Sequence, residues 1–161
     1  EYLTNERLTL FIQAAFQEDV GEGDHSTLAA VPPNQLGKAQ LLIKEHGVIA
    51  GLELAKMIFH HHDPELQVEI LVSEGQKVQP GQIGLSVSGK AASILTTERL
   101  VLNCMQRMSG IATKTRALNA LIEHTNARLL DTRKPHPIFE CWKNGRFRSE
   151  VGKTTDSPCT T

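Results

Sequence analysis

The sequence predicts an α+β fold. Three observations carry that expectation: an amphipathic helix near the N-terminus, a group of short alternating segments between Gly37 and Val87, and a long helical stretch from Ser93 to Thr125. The last of these leads into a short apolar segment, the start of a helix-to-strand alternation of the kind that builds α/β architecture.

Leu8, Phe11, Ile12, Ala15 and Phe16 recur at helical spacing, so the first helix spans about Asn5 to Asp19. Gly21-Glu22-Gly23-Asp24 ends it, and Asp24 or Ser26 can cap a short turn or the next element. From Gly37 to Ala50 the period changes to two (Ala39, Leu41, Ile43, then Val48 and Ile49), with Gly47 as a bend. Gly51 to His61 returns to helix with Leu54, Met57 and Ile58 on one face, and Asp63-Pro64 stops it. Val68, Ile70 and Val72 alternate along the next strand. Glu74-Gly75 and Pro80-Gly81 are turn pairs on either side of a short strand at Lys77-Val78, and Ile83 to Val87 adds another. This part sums to two helices and about four short strands.

The stretch from Ser93 to Thr125 is interrupted by Ser109-Gly110, a pair that predicts a break or kink. Ala127-Arg128-Leu129-Leu130 then reads as a buried strand whose polar C-terminal end is Asp131-Thr132-Arg133-Lys134. Parallel α/β folds place ligand-binding groups at such strand ends.

Composition narrows the function classes. The 161 residues are 40 % hydrophobic and 22 % charged, ordinary for a soluble globular chain, and long enough for one domain with a piece of another. Aromatics supply only 4 %, so the core must rest on Leu, Ile, Val and Ala. A formal charge of −1 offers no global attraction to nucleic acid or to an anionic membrane, so any anion site must be a local cluster. Cys104, Cys141 and Cys159 show neither metal spacing nor a disulfide framework, which favours a reducing compartment. With no apolar run of membrane-spanning length and no basic-then-apolar leader, the expectation is a cytoplasmic protein.

Four places could carry chemistry. Arg133 and Lys134 beside Asp131 and Thr132 suit carboxylates or phosphates, because Arg forks onto two oxygens and Lys adds a compact charge; a solvated strand end fits as well. Arg99, after Glu98 on the long helix, reads on its own as a surface residue or an intrahelical ion-pair partner. His60-His61-His62 cannot converge on one metal ion, since consecutive helical residues diverge. Their expected role is favourable charge at a helix C-terminus. The turn from Glu74 to Gln82 is similar to one in lipoyl- and biotinyl-carrier domains, but lacks their Met-Lys hairpin.

Four stretches together resemble the quinolinate phosphoribosyltransferase family. They are Glu18-Asp19-Val20-Gly21-Glu22-Gly23-Asp24-His25-Ser26-Thr27, Glu98-Arg99-Leu100-Val101-Leu102-Asn103, Ser109-Gly110-Ile111-Ala112-Thr113 and Leu130-Asp131-Thr132-Arg133-Lys134. The resemblance covers Leu8 to Lys134. It implies an N-terminal α/β sandwich followed by an incomplete α/β barrel. The corresponding division here is a sandwich with its linking helix over 1–108, the first helix and strand of the barrel over 109–134, and a tail over 135–161. It also implies dimers or higher homo-oligomers whose active sites are completed by the neighbouring subunit. The implied substrates are quinolinate and phosphoribosyl pyrophosphate, with Mg²⁺, and the products nicotinate mononucleotide, pyrophosphate and carbon dioxide. By the same resemblance, Arg99 reaches across the dimer to substrate carboxylates, while Arg133 and Lys134 bind quinolinate and phosphate oxygens. No metal ligand and no certain catalytic residue falls within the chain. A non-catalytic carrier-like or interaction module is the alternative from another class, and a phosphoribosyltransferase for another small acid the alternative within it.

After Lys134 the resemblance fails in the frame as written. The family continues with Thr-Thr-Pro, a helix, a glycine triplet and Asn-His-Arg; this chain has Pro135-His136-Pro137 and a scatter of Pro, Gly and basic residues. Joining the third base of each codon to the first two of the next permits the expected text without a gap, mostly through codon degeneracy. Cys141 into Trp142 must then encode Leu, and Trp142 into Lys143 must encode Glu. The segment from Ser149 to Ser157 permits Gly-Gly-Gly-Lys-Asn-His-Arg-Phe. The expectation is that one base was lost near the Lys134 codon, that 135–161 is out of frame, and that the 161-residue polypeptide has no turnover. A divergent but genuine C-terminus is the competing explanation.

Overall fold

The computed structural model describes residues 4–20, 25–32 and 34–130. Helix α1 (Asn5–Asp19) is opened by Thr4, whose hydroxyl accepts from the Arg7 amide at 3.3 Å. Its apolar stripe buries Leu8 and Ile12, with Phe11, Ala15 and Phe16 packed beside them, as the helical spacing predicts. A short helix, α2 (His25–Ala30), follows; at six residues it is too brief to leave a periodic pattern in the sequence. The segment Gly21–Asp24 expected to end α1 and cap the next element lies outside the described residues.

Strand β1 (Leu36–Leu42) alternates exposed and half-buried residues, the mark of a sheet with one wet face. It pairs antiparallel with β5 (Ile83–Lys90), which pairs antiparallel on its other side with β3 (Gln67–Ile70), giving the order β1-β5-β3. Two-residue strands β2 (Gly47–Val48) and β4 (Lys77–Val78) form a separate antiparallel ribbon. The architecture is α+β as expected, with one more helix and one more strand before the long helix than periodicity alone reveals.

Gly47 does not act as a bend. It lies in β2, and a Cβ there would sit 2.8 Å from Thr113 Oγ1, so glycine is needed for close approach to the long helix. Helix α3 (Leu52–His62) buries Leu52, Leu54, Ala55, Ile58 and Phe59, and ends at Asp63. Together with α4 (Ala91–Ile122) it packs against the sheet, while α1 lies against both helices. The shared core runs through Ile12, Leu54, Ile58, Leu66, Leu85, Val87, Ile94 and Val101.

The predicted break at Ser109-Gly110 is absent: α4 runs unbroken for 32 residues. Tertiary contact explains why, since Ser109, Ala112 and Thr113 are all bound to the segment Val48–Ala50 on one side of the helix. Gly110 faces open space, and an interior helical glycine costs only about 1 kcal/mol relative to alanine. Ala127–Leu130, expected as a strand, is irregular and exposed, with Leu130 76 % accessible. It has no ladder partner among the described residues, and an unpaired segment has no backbone bonds to hold it extended.

The three histidines divide between two partners. The His60 ring nitrogen Nε2 meets the Leu66 carbonyl at 3.1 Å, while His61 and His62 stack on Phe16. Desolvation lowers the His62 pKa, outweighing the neighbouring Asp63, and His61 adds to the lowering. The cationic helix end expected from the sequence is therefore disfavoured at His62.

Asp63 closes α3 and ties it to α4. Its carboxylate accepts from the Ser93 hydroxyl at 2.7 Å and from the Glu65 amide at 3.0 Å. The Ser93 bond foremost, then the Glu65 amide, Lys90 and His62, hold its pKa below the usual carboxylate range against the opposing effect of burial. A depressed native pKa gives stability that is present above the unfolded value and lost as pH falls through the folded one. The wild-type chain should therefore lose stability as pH falls below about 4 more steeply than Asp63→Asn, as measured by urea midpoints across that range.

Candidate functional site

Arg99 is the second residue of the stretch Glu98–Asn103 on α4, among the buried Thr97, Leu100 and Val101. Those neighbours fix the helix rotation and leave the Arg99 side chain 72 % exposed. It forms an ion pair with Asp19, the last residue of α1, at 3.0 Å. The pair joins two of the stretches singled out in the sequence, although the residues are 80 positions apart. Asp19 was not identified as a site residue, because nothing local distinguishes it from other acids at a helix end. Exposed ion pairs are worth roughly 0–1 kcal/mol, so this one can be exchanged for an incoming carboxylate at small cost. Arg133 and Lys134 lie outside the described residues.

Further along α4, side chains bond directly to the backbone of β2 and of the residues that follow it. The Val48 amide donates to Thr113 Oγ1 at 2.8 Å, and the Ala50 amide donates to Ser109 Oγ at 2.9 Å. Ser109 Oγ also lies 3.3 Å from the Ala50 carbonyl, to which it donates. Between them Ile49 faces the other way: its amide donates to the Gln76 carbonyl and its carbonyl accepts from the Gly75 amide. Thr97 behaves differently, turning its hydroxyl back onto the Ser93 and Ile94 carbonyls of its own helix.

The turn after β3 is consumed by the fold. Both Glu74 carboxylate oxygens accept backbone amides at the start of α3, Gly51 at 2.6 Å and Leu52 at 2.9 Å. Burial raises the Glu74 pKa, opposed by these two bonds, and Glu53 raises it further. Arg116 donates to the Gly75 carbonyl at 3.4 Å, and the Gln76 and Gln82 side chains close their own turns on the Ser73 and Gln79 amides. These bonds account for the carrier-like turn without a cofactor.

Chemically, the described residues offer an exposed guanidinium and no activated nucleophile near it. Burial pushes the Cys104 thiol up to about 11, so it stays protonated at neutral pH. No group of three His, Cys, Asp or Glu among the described residues is placed to hold a metal ion. They do not fit a Mg²⁺ site.

Residues 24–109, more than half of the chain, match the family description "Quinolinate phosphoribosyl transferase, N-terminal domain". The chain belongs to the quinolinate phosphoribosyltransferase family. It is 47 % identical over 127 residues to quinolinate phosphoribosyltransferase [decarboxylating] 1b of Nicotiana tabacum, covering 78 % of this chain and 36 % of the relative. Identity is also 47 %, over 131 residues, with the chloroplastic nicotinate-nucleotide pyrophosphorylase [carboxylating] of Oryza sativa subsp. japonica, covering 81 % of this chain and 35 % of that one. The chain thus spans about a third of the length of these quinolinate phosphoribosyltransferases. Among solved structures, NadC from Streptococcus pyogenes matches with a TM-score of 0.86 at 32 % identity, over 93 % of this chain and 53 % of that one. The nicotinate-nucleotide pyrophosphorylase from Francisella tularensis matches with a TM-score of 0.84 at 30 % identity, over 93 % and 54 % respectively. Plant members of the family carry names that place them in the chloroplast or the mitochondrion. No helix among the described residues is long and apolar enough to cross a membrane.

Proposed function

We propose that this chain is the N-terminal portion of an enzyme that transfers phosphoribosyl from phosphoribosyl pyrophosphate to quinolinate in NAD biosynthesis. The observation that carries the reading is Arg99: it lies within the matched region, on the uninterrupted helix α4, with an exposed side chain held by an exchangeable ion pair. Its role is to bind quinolinate carboxylates, across a homodimer, in a site to which Arg133 and Lys134 of the other subunit contribute. Such a cationic site offsets the repulsion between a dicarboxylate and a pyrophosphate and holds them together.

In the reaction the quinolinate nitrogen attacks the ribose anomeric carbon, and the bond to pyrophosphate breaks with its electron pair leaving on pyrophosphate. The adjacent carboxylate then departs as carbon dioxide, and a proton takes its place on the ring. Mg²⁺ accompanies the pyrophosphate. A phosphoribosyltransferase for another small acid would use the same cations.

The domain division follows the family: a sandwich with its linking helix over 1–108, the start of a barrel over 109–134, and an out-of-frame tail over 135–161. The first boundary falls inside the continuous α4, so the two parts share a helix. Because the tail lacks the Asn-His-Arg element in frame, the 161-residue polypeptide is inactive.

Three measurements test this. Sequencing the encoding DNA should reveal, one base out of register after the Lys134 codon, an open frame that continues the family sequence; a stop codon there would sink the tail hypothesis. The 161-residue polypeptide should form no nicotinate mononucleotide, while the protein read in the restored frame should form it. In that restored protein Arg99→Ala should lower kcat/KM by about 100-fold, the scale of a lost charge-assisted pair. Loss of less than threefold would remove Arg99 from the site.

A further inference from the structure

We infer that Ser109 and Thr113 are positioning residues: their hydroxyls form a two-point clasp that sets the axial register of α4 against the sandwich, and with it the presentation of Arg99. The last consequence rests on the function proposed above; the clasp itself does not.

The geometry is a match between two periodicities. Residues four apart on a helix rise by about 6 Å along its axis. Two residues along an extended strand advance by about 6.6 Å, and their amides point to the same side. Ser109 and Thr113 are four apart, and the amides they accept, Ala50 and Val48, are two apart. The pairing is therefore commensurate, running antiparallel between helix and strand. Ser109 both accepts from the Ala50 amide and donates to the Ala50 carbonyl, so its hydroxyl supplies the two functions of a neighbouring peptide group. The segment from Gly47 to Ala50 thus has β4 and the turn before it on one edge and helix hydroxyls on the other.

Close approach is built in at both ends of the segment. A Cβ on Gly47 would meet Thr113 Oγ1 at 2.8 Å, and one on Gly51 would meet Met108 Sδ at 2.9 Å. Between them Val48, Ala50 and Ala112 form a small buried cluster with Met108 against it. Apolar contact alone tolerates a slip along the helix, because it is non-directional. Two hydroxyl bonds do not, since a shift of one residue carries both hydroxyls about 100° around the axis and away from the amides. Arg99, ten residues before Ser109 on the same unbroken helix, moves with that register.

The test uses the full 161-residue chain with its three methionines labelled at the methyl carbon, read by NMR with single-amide hydrogen exchange. Ser109→Ala with Thr113→Val removes both hydroxyls at nearly constant volume. Met105 and Met108 signals should shift or split, Met57 should stay in place, and the Val48 and Ala50 amides should exchange about tenfold faster. Ser109→Thr with Thr113→Ser, which keeps both hydroxyls, should restore a single wild-type set. Ser109→Ala alone keeps the experiment decisive should the double variant fail to fold, and it should accelerate Ala50 more than Val48. Unchanged Met105 and Met108 signals with unchanged Val48 and Ala50 exchange would overturn the clasp. A retained defect in the hydroxyl-swapped chain would also overturn it, by showing that shape and not the hydroxyls matters. Quinolinate is then added as a separate probe. If it perturbs no signal of the protein read in the restored frame while the clasp variants behave as expected, the functional reading fails and the clasp stands.

Discussion

Leu54→Ala should destabilise the chain by about 2–5 kcal/mol, measured as the change in unfolding free energy from urea titration. Leu54 is fully inaccessible, in the first turn of α3, and belongs to the cluster that α1, α3, α4 and the sheet share. Truncation removes three carbons from that cluster and leaves a cavity. Neighbours such as Ile58 and Leu52 are themselves fully buried, and the structure around the cavity relaxes only in part. The matching change on the same kind of surface gives the contrast: Leu10 of α1 is 59 % exposed, and Leu10→Ala should cost less than about 0.5 kcal/mol. Equal losses at both positions would mean that the core is not where the packing puts it.

Gly51→Val should cost about 3 kcal/mol, from two sources that add. Gly51 has φ of +95°, at the N-cap of α3, a conformation that costs a residue with a Cβ about 1–2 kcal/mol and a β-branched one more. The Cβ would also lie 2.9 Å from Met108 Sδ, so either the methionine turns aside or α3 and α4 separate. Separation would pull the Gly51 amide from Glu74 and the Ala50 amide from Ser109, so the damage should spread to both helices. Gly110→Ala is the informative partner. Nothing lies within 4 Å of its missing Cβ and it sits in an uninterrupted helix, so alanine should stabilise by about 0.5–1 kcal/mol. Thermal or urea unfolding of the two variants should therefore move in opposite directions.

The elements that could be read from the sequence were those whose own residues carry the pattern. Leu8, Ile12 and Phe16 mark α1 by spacing, and the Glu74-Gly75 and Pro80-Gly81 pairs mark real turns, where Gly75 and Gly81 take positive φ. The misreadings arose where distant partners override a local cue. Ser109-Gly110 has the composition of a kink, yet the helix continues through it beside bonds to residues 59 and 65 positions away. Ala127–Leu130 has strand-like residues, but strand formation needs a neighbour, and alternation alone does not supply one. Gly47 was legible as a special position, yet its reason is the hydroxyl of Thr113 and not a bend. The same limit governs the site. Arg99 stood out only by resemblance to a family, its partner Asp19 is invisible to any local pattern, and Arg133 and Lys134 lie outside the described residues.

The unbroken α4 is also a mechanical lever. Thr113 is nine residues from the last residue of the helix, so the arm beyond the clasp is about 14 Å long at 1.5 Å per residue. A tilt of about 5° at the clasp would swing its tip by about 1.2 Å, whereas catalytic groups must be held to within about 0.5 Å. In an enzyme that hangs its substrate-binding strand on this arm, the angular tolerance at two small hydroxyls would be about 2°. Side chains that never touch a substrate would then set the precision with which it is aimed.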